Sequence, residues 1–173
     1  MRRRTQQTAG FSLIELLIVV AVILIVASIA IPNFMRARMQ ANEAAAVQNL
    51  RTISTAQVAY ITAYANGFAP GLPALTGNPP VTCNQAGLID GVLAAGQKTG
   101  YRYVYHPGTP VLVAGVGCGA VGVSDYQISA EPLAVGSSGQ RSFCMTQTGL
   151  IRQDPSGAPI ASGNCVAPLA VLQ

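Results

Sequence analysis

Hydrophobic residues are concentrated in one stretch near the start of the chain, residues 11–31. Its only polar residues are Ser12, Glu15 and Ser28. As an α-helix rising about 1.5 Å per residue, the stretch would be about 32 Å long, enough to cross the hydrocarbon core of a bilayer. Residues 1–10 contain three arginines and no acid, so the positive-inside tendency holds this end in the cytoplasm. We therefore expect one membrane span, with the rest of the chain outside.

A helical pattern continues over residues 32–66, which contain no glycine and only one proline, Pro32. A stripe of side chains recurs there at alternating spacings of four and three residues, which predicts one packed helix face. The stripe consists of Ala46, Leu50, Ile53, Gln57, Tyr60 and Tyr64. We predict that it packs on a sheet, and that Pro32 breaks the helix because it removes a backbone hydrogen bond. Arg36, Arg38 and Glu43 are expected on a solvated face or one that contacts lipid head groups.

The remainder of the chain, residues 67–173, is predicted to form a globular head. Residues 67–100 are rich in glycine and proline, which favours a connecting loop with at most a short helix near residues 86–95. Residues 101–152 alternate short β-favouring segments with turns, and residues 153–173 follow as a tail. The predicted strand segments are Tyr101–His106, Val111–Val116, Asp125–Glu131, Arg141–Thr146 and Gly149–Arg152. About four antiparallel strands packed on the helix would give an α+β architecture.

Charge and size restrict the possible functions. The chain has 173 residues, of which 50% are hydrophobic and only 9% charged, so we expect one anchored domain with a small head. The formal net charge is +4, but three of the ten basic residues lie among the first ten positions. The remaining basic residues nearly balance the six acids. This balance argues against a nucleic-acid-binding surface driven by net charge.

Four cysteines follow the apolar stretch, at Cys83, Cys118, Cys144 and Cys165. Outside the cytoplasm they favour disulfides, and none has the Cys-x2-Cys spacing of common zinc modules. Free buried thiols and a zinc site are the alternatives. Sequence alone leaves three connectivities open. We favour Cys144 with Cys165, which would tie a tail with little core of its own to the sheet, and Cys83 with Cys118, which would fasten the connecting loop.

The chain offers little material for catalysis. His106 is the single histidine and ends a predicted strand, where a structural hydrogen bond is the usual role. Asp90, Asp125, Glu131 and Asp154 are scattered, and no paired carboxylates, nucleophile elbow or phosphate loop occurs. We therefore predict a protein that is not an enzyme, with no cofactor and no metal.

Three interpretations compete for the apolar stretch. A secretory signal peptide would have a shorter hydrophobic region, of about 7–15 residues, although residues 28–30 roughly resemble a cleavage site. A plain membrane anchor explains the length and the basic flank but leaves Glu15 unexplained. A carboxylate inside a spanning helix is costly and usually has a partner. The third interpretation supplies that partner.

Residues 10–15, Gly-Phe-Ser-Leu-Ile-Glu, closely resemble the processing site of type IV prepilins and type II secretion pseudopilins. The resemblance implies that prepilin peptidase cuts between Gly10 and Phe11 and methylates the new N-terminus at Phe11. The ammonium created there can pair with Glu15 of a neighbouring identical helix, since a buried charge is tolerated mainly when it is paired. Pro32 also matches the family, which often has a proline near the end of the apolar run.

Further segments carry the resemblance into the head. Residues 49–57 followed by Tyr60 are similar to the helix of pilins, and residues 125–132, 139–143 and 148–152 are similar to the last strands of pilin-like heads. The implied fold is α+β and pilin-like. In it, a long N-terminal helix, half transmembrane and half amphipathic, packs on a small antiparallel sheet. Pilin-like heads often staple their C-terminal region with a disulfide.

The resemblance implies a structural subunit of a type IV pilus filament, stored in the bacterial inner membrane as a single-pass protein. Its implied partners are copies of itself, prepilin peptidase, membrane lipid, and an inner-membrane assembly platform with its ATPase motor. One alternative is a major-type pseudopilin of a type II secretion system, in a periplasmic pseudopilus. Major pseudopilins have an acid-rich calcium loop near the C-terminus, whereas residues 155–173 contain no acid. The other alternative is a membrane-anchored binding module that never polymerises.

Overall fold

The computed structural model describes residues 11–111, 121–166 and 168–172. The chain divides into two compact units, the first ending at Ala37 and the second beginning at Arg38. The first unit contains the apolar part of a long helix. The second unit contains the rest of that helix together with the sheet, and it holds the buried core.

The first element, helix α1, spans Leu13–Tyr64 and is 52 residues long. Pro32 lies inside it, and the helix continues without interruption, whereas the sequence analysis expected a break there. The prediction of a break was wrong because a proline removes only one amide donor from the helix. The bonds of the adjacent turns remain available to hold it. The helix ends where Ala65 adopts the left-handed region, at φ 50°.

The second half of α1 buries one face against the head. Its buried side chains match the predicted stripe at Ala46, Leu50, Ile53, Gln57 and Tyr60, and they also include Glu43 and Ala56. Tyr64 is only half-buried, and its ring lies 4.9 Å from that of Tyr60 between centroids, with the two ring planes tilted by 52°. The spacing of three and four residues therefore identifies the packed face, although it misses Glu43 and Ala56 and includes the half-buried Tyr64.

Two antiparallel sheets follow the connecting loop. Their strands are β1 (Gln97–Lys98), β2 (Tyr101–Pro107), β3 (Pro110–Val111), β4 (Gly122–Val123), β5 (Tyr126–Pro132), β6 (Ser142–Thr146), β7 (Ile151–Asp154) and β8 (Ala170–Val171). Six of them form one sheet in the order β1-β2-β5-β6-β7-β8, and β3 pairs with β4. The four long strands are those predicted, and together with α1 they make the pilin-like α+β fold. The two-residue strands were missed because two residues show no alternation. Most of the predicted strand Val111–Val116 lies outside the described residues.

The alternating tyrosines of β2 point their hydroxyls at fixed partners. The Tyr101 hydroxyl donates to the Arg141 carbonyl oxygen, 2.8 Å away. The Tyr103 hydroxyl accepts from Asn49 Nδ2 on α1, also at 2.8 Å. Burial raises the pKa of both phenols, so each remains neutral and able to donate. The bond between Tyr103 and Asn49 joins β2 to α1, and the bond between Tyr101 and Arg141 joins β2 to the residue before β6.

The connecting loop contains two short helices, α2 (Leu72–Leu75) and α3 (Gly91–Ala94). The second lies within the range where a short helix was allowed, and Asp90 caps it by accepting from the Leu93 amide at 3.0 Å. The Tyr60 hydroxyl of α1 donates to the Cys83 carbonyl oxygen at 2.8 Å. The loop is therefore bound to the helix that precedes it.

The C-terminal tail is held to the sheet at several points. Cys144 on β6 and Cys165, the pair favoured by the sequence analysis, form a disulfide. Beside it, the buried Gln127 side chain donates to the Ala161 carbonyl oxygen at 2.8 Å and accepts from the Gly163 amide at 2.9 Å. Cys83 is also disulfide-bonded, and its favoured partner, Cys118, lies outside the described residues. The tail is thus held by the disulfide and by polar contacts, together with a small apolar cluster in which Ile160 and Leu169 pack beside Cys144 and Cys165.

Replacing Cys144 and Cys165 together by alanine is expected to lower the free energy of unfolding of the head by roughly 3 kcal/mol, because the loop between them is no longer closed in the unfolded chain. Urea unfolding of the full-length protein in detergent would measure this change. The matched control is Val166→Ala, an exposed neighbour, which should change stability by less than about 0.5 kcal/mol.

Disulfide mapping of the native protein should also link Cys83 to Cys118, and a peptide that links Cys83 to Cys144 would contradict this pairing.

Candidate functional site

The apolar unit leaves its large side chains exposed. Between residues 11 and 35 every leucine, isoleucine, valine and phenylalanine is exposed, from 46% at Val19 to 80% at Leu13. Within the described residues, α1 is the one helix long and apolar enough to cross a membrane, with a mean hydropathy of 3.1 over its best window. A soluble monomer rarely exposes so large an apolar surface. Lipid or other protein must therefore cover this segment.

Glu15 lies in the first turn of α1, two residues after the helix begins. The partial positive charge of a helix N-terminus favours a carboxylate at this position. No ion pair or hydrogen bond joins the Glu15 side chain to another described residue. By contrast, the Ser28 hydroxyl donates to the Ile25 carbonyl oxygen of its own helix at 2.7 Å. Within the described part of the apolar segment, Glu15 is thus the charged side chain that still needs a partner.

Phe11 is the first described residue and is 70% exposed. It precedes the helix and lies four positions before Glu15. Gly10, on the other side of the predicted cleavage position, lies outside the described residues. The cleavage at Gly10, the methylation of Phe11 and the pairing role of Glu15 therefore remain predictions.

One charged side chain lies in a different environment from the one that its sequence position predicts. Glu43 was expected on a solvated face, yet it is only 6% exposed. Its carboxylate accepts from the Arg141 guanidinium at 2.6 and 2.9 Å, and from the backbone amides of Gln140 at 2.8 Å and Arg141 at 3.2 Å. One carboxylate on α1 therefore binds both the side chain and the backbone at the start of β6.

Arg141 is itself oriented by two further contacts. Its Nη1 donates to Gln153 Oε1 at 2.8 Å, and its Cζ lies 5.6 Å from the centroid of the Phe143 ring. A sequence signal for Glu43 existed, because extending the predicted stripe back by three residues from Ala46 reaches it. Its charge argued for solvent, but a charge is tolerated in a core when it is paired and hydrogen-bonded.

The other predicted polar positions are dispersed over the head. His106 lies on β2 opposite Gln127. Asp90 pairs with Lys98 at 2.8 Å, and Glu131 pairs with Arg102 at 2.8 Å. Within the part of the chain that the structure describes, no three histidine, cysteine, aspartate or glutamate side chains come together as a metal-binding group. The polar residues named in the sequence analysis therefore do not form a single site.

Two comparisons relate the chain to known proteins. The family model described as the prokaryotic N-terminal methylation motif matches residues 6–31. A type IV major pilin protein of Myxococcus xanthus (strain DK1622) is 42% identical over 76 residues, which cover 39% of this chain and 34% of that protein. The chain thus matches about a third of the length of this curated relative. No solved structure matches the chain significantly.

The matched motif, the identity to a major pilin and the observed architecture agree with one another. The motif covers the segment where the apolar surface and Glu15 lie. The second half of α1, packed on an antiparallel sheet, supplies the pilin-like head. The chain therefore carries a match to the prokaryotic N-terminal methylation motif, is similar over 76 residues to a type IV major pilin, and has a pilin-like architecture.

Proposed function

We propose that the chain is a structural subunit of a type IV pilus filament. It would be stored in the inner membrane with its N-terminus in the cytoplasm, cut between Gly10 and Phe11 by prepilin peptidase, and methylated on Phe11. It would then be polymerised through its N-terminal helix. The observation that carries this proposal is the exposed apolar helix with one unpartnered carboxylate, Glu15, in its first turn.

The free-energy change on assembly follows from the apolar side chains of this helix and its single carboxylate. In the membrane the apolar side chains face lipid, and in a fibre they would face copies of the same helix. Because both surroundings are apolar, moving the helix between them yields little hydrophobic free energy. A charge pair between the Phe11 ammonium of one subunit and Glu15 of another can then decide the register of packing.

Other proteins would carry out the remaining steps. An inner-membrane assembly platform and its ATPase motor would extract the subunit, because the small free-energy difference between lipid and fibre leaves the work of extraction to an external source. The head would remain outside the bilayer, where Cys144 and Cys165 can stay oxidised.

Processing provides the first test. We expect mass spectrometry of the mature N-terminal peptide to find a chain that begins with methylated Phe11. Gly10→Val should leave uncut precursor in the membrane and remove nearly all filaments, because the peptidase pocket implied by the resemblance accepts a small residue. The matched control is Ala9→Val, which adds the same side chain one residue earlier and should be cut normally.

Two outcomes would contradict the processing step. A mature chain that starts at Ile31 would indicate an ordinary signal peptide, and an intact Met1 in surface material would indicate a plain anchor.

Purification of sheared surface filaments then tests the function itself. Filaments built mainly of this chain are expected, whereas a chain found only in membranes would support a binding module that never polymerises.

A further inference from the structure

Charges in the second unit are unequally paired. Three of its carboxylates form ion pairs, at Glu43, Asp90 and Glu131. Two others, Asp125 and Asp154, have no cationic partner among the described residues. On α1, the exposed Arg38 likewise has no carboxylate partner within the described residues. Partners for these charges must come from solvent or from another molecule.

Arg38 and Asp125 lie at opposite ends of the second unit. Arg38 is its first residue, and Asn42, one turn further on, donates to the Ser138 carbonyl oxygen near the start of β6. Asp125 precedes β5, and its carbonyl oxygen accepts from the Gly108 amide just after β2 ends. That end of β2 lies beside Gln57 of α1, through Tyr105. The helix from residue 38 to residue 57 is about 30 Å long.

The Asp125 side chain is held in place. Its Oδ2 accepts from the Ser124 hydroxyl at 2.6 Å. Its Oδ1 lies so close to Gly108 that a Cβ at that position would collide with it. Asp125 as a residue is half-buried, and its bond to Ser124 lies at an exposed position. A partner cation would therefore meet a carboxylate whose position is already fixed, which reduces the entropy lost on pairing.

Asp154 and Arg51 are placed differently. Asp154 pairs across the sheet with Ser142, next to Arg141 and so at the same end of the unit as Arg38. Its carboxylate already accepts from the Ser156 hydroxyl and amide, which lower the pKa of Asp154. Arg51 is exposed in the middle of the helical segment. Of these groups, only Arg38 and Asp125 are unlike charges at opposite ends.

We propose that Asp125 of one subunit pairs with Arg38 of a second copy of this chain in the assembled fibre. Copies stacked along one axis bring unlike ends together, as in any head-to-tail interface that does not close on itself. The pair would orient the heads, while the apolar helices pack independently of it. This inference rests on the filament function proposed above.

Charge reversal tests the pairing. Arg38→Glu and Asp125→Arg should each lower the yield of sheared filaments by about tenfold, since like charges at an interface are strongly unfavourable. The double variant should restore most of the yield. Arg51→Glu is the matched control and should assemble normally. Circular dichroism of each purified full-length variant should match that of wild type, so that a loss of filaments reflects assembly.

A chemical readout identifies the contact directly. In filaments of the Arg38→Lys variant, a carbodiimide should couple the new amine to Asp125 of another subunit, giving a ladder of oligomers on a denaturing gel and a linked peptide in mass spectrometry. Wild-type filaments, whose one natural lysine is Lys98, are the control. Coupling to Asp154 instead, or double variants that assemble no better than single ones, would overturn the pairing alone. Absence of the wild-type chain from filaments would overturn both proposals.

Discussion

Glu15→Ala is expected to remove nearly all filaments in cells that lack wild-type subunits, while the protein still inserts into the membrane. Insertion should even improve, because a carboxylate inside a spanning segment is costly. Assembly should fail because the Phe11 ammonium of each incoming subunit would be transferred into the helix bundle without a counter-charge. Breaking a buried ion pair by removing one partner typically costs about 3–5 kcal/mol, or more than a hundredfold in an equilibrium.

Two further variants separate charge from shape. Glu15→Gln keeps the size and loses the charge, so it should assemble as poorly as the alanine variant. Ser28→Ala removes another polar group from the same helix, but its hydroxyl is already bonded to Ile25, and normal filament yield is expected. Quantitative immunoblots of sheared and membrane fractions would measure both effects. Normal yield from Glu15→Ala would show that the helix acts as a plain anchor.

Glu43→Ala is expected to destabilise the head by about 3 kcal/mol. The substitution removes a nearly buried carboxylate that accepts four hydrogen bonds, from the Arg141 guanidinium and from two backbone amides. Hydrogen bonds to a charged group are the stronger ones, and water can replace only part of them, because the Arg141 side chain is 39% exposed. Urea unfolding of the oxidised full-length protein in detergent, followed by the near-ultraviolet circular dichroism of its tyrosines, would measure the loss.

The control for Glu43 is an exposed pair in the same head. The side chains of Asp90 and Lys98 are 48% and 33% exposed, although their separation is similar, at 2.8 Å. Asp90→Ala should therefore cost no more than about 1 kcal/mol, including the loss of the α3 cap. Equal effects of the two substitutions would mean that solvent reaches Glu43 and that its bonds to Gln140 and Arg141 add little to the stability of the head.

Patterns with several repeats were readable from the sequence. The apolar segment and the stripe from Ala46 to Tyr60 each extend over several helical turns, and the alternating tyrosines of β2 extend over a whole strand. Such periodicities reflect burial directly, so helix and sheet could be placed without coordinates. The segment that carries the methylation motif could be identified for another reason, because a basic leader, Gly10, Phe11 and Glu15 seldom occur together at the start of a long apolar run.

Features that depend on single contacts were not readable. Strand β8 pairs through two residues, Ala170 and Val171, whose backbone partners lie on β7. Glu43 was assigned to solvent because its partner, Arg141, is remote in the sequence, and a lone charge gives no sign of a distant counter-charge. Pro32 was assigned as a break because the sequence shows the missing donor but not the intact turns around it.

The contact between Glu43 and β6 also sets an order of events during biogenesis. The hydrogen bond between Glu43 and the Gln140 amide spans 97 residues of sequence, whereas the apolar segment precedes Glu43 entirely. In the membrane-stored subunit proposed above, the apolar helix can insert once its own residues have been synthesised, whereas this contact also requires the chain as far as Gln140 to have crossed the membrane. The proposed subunit would therefore be tethered to the bilayer while its head folds. Until the contact with Gln140 and Arg141 forms, the Glu43 carboxylate would remain hydrated.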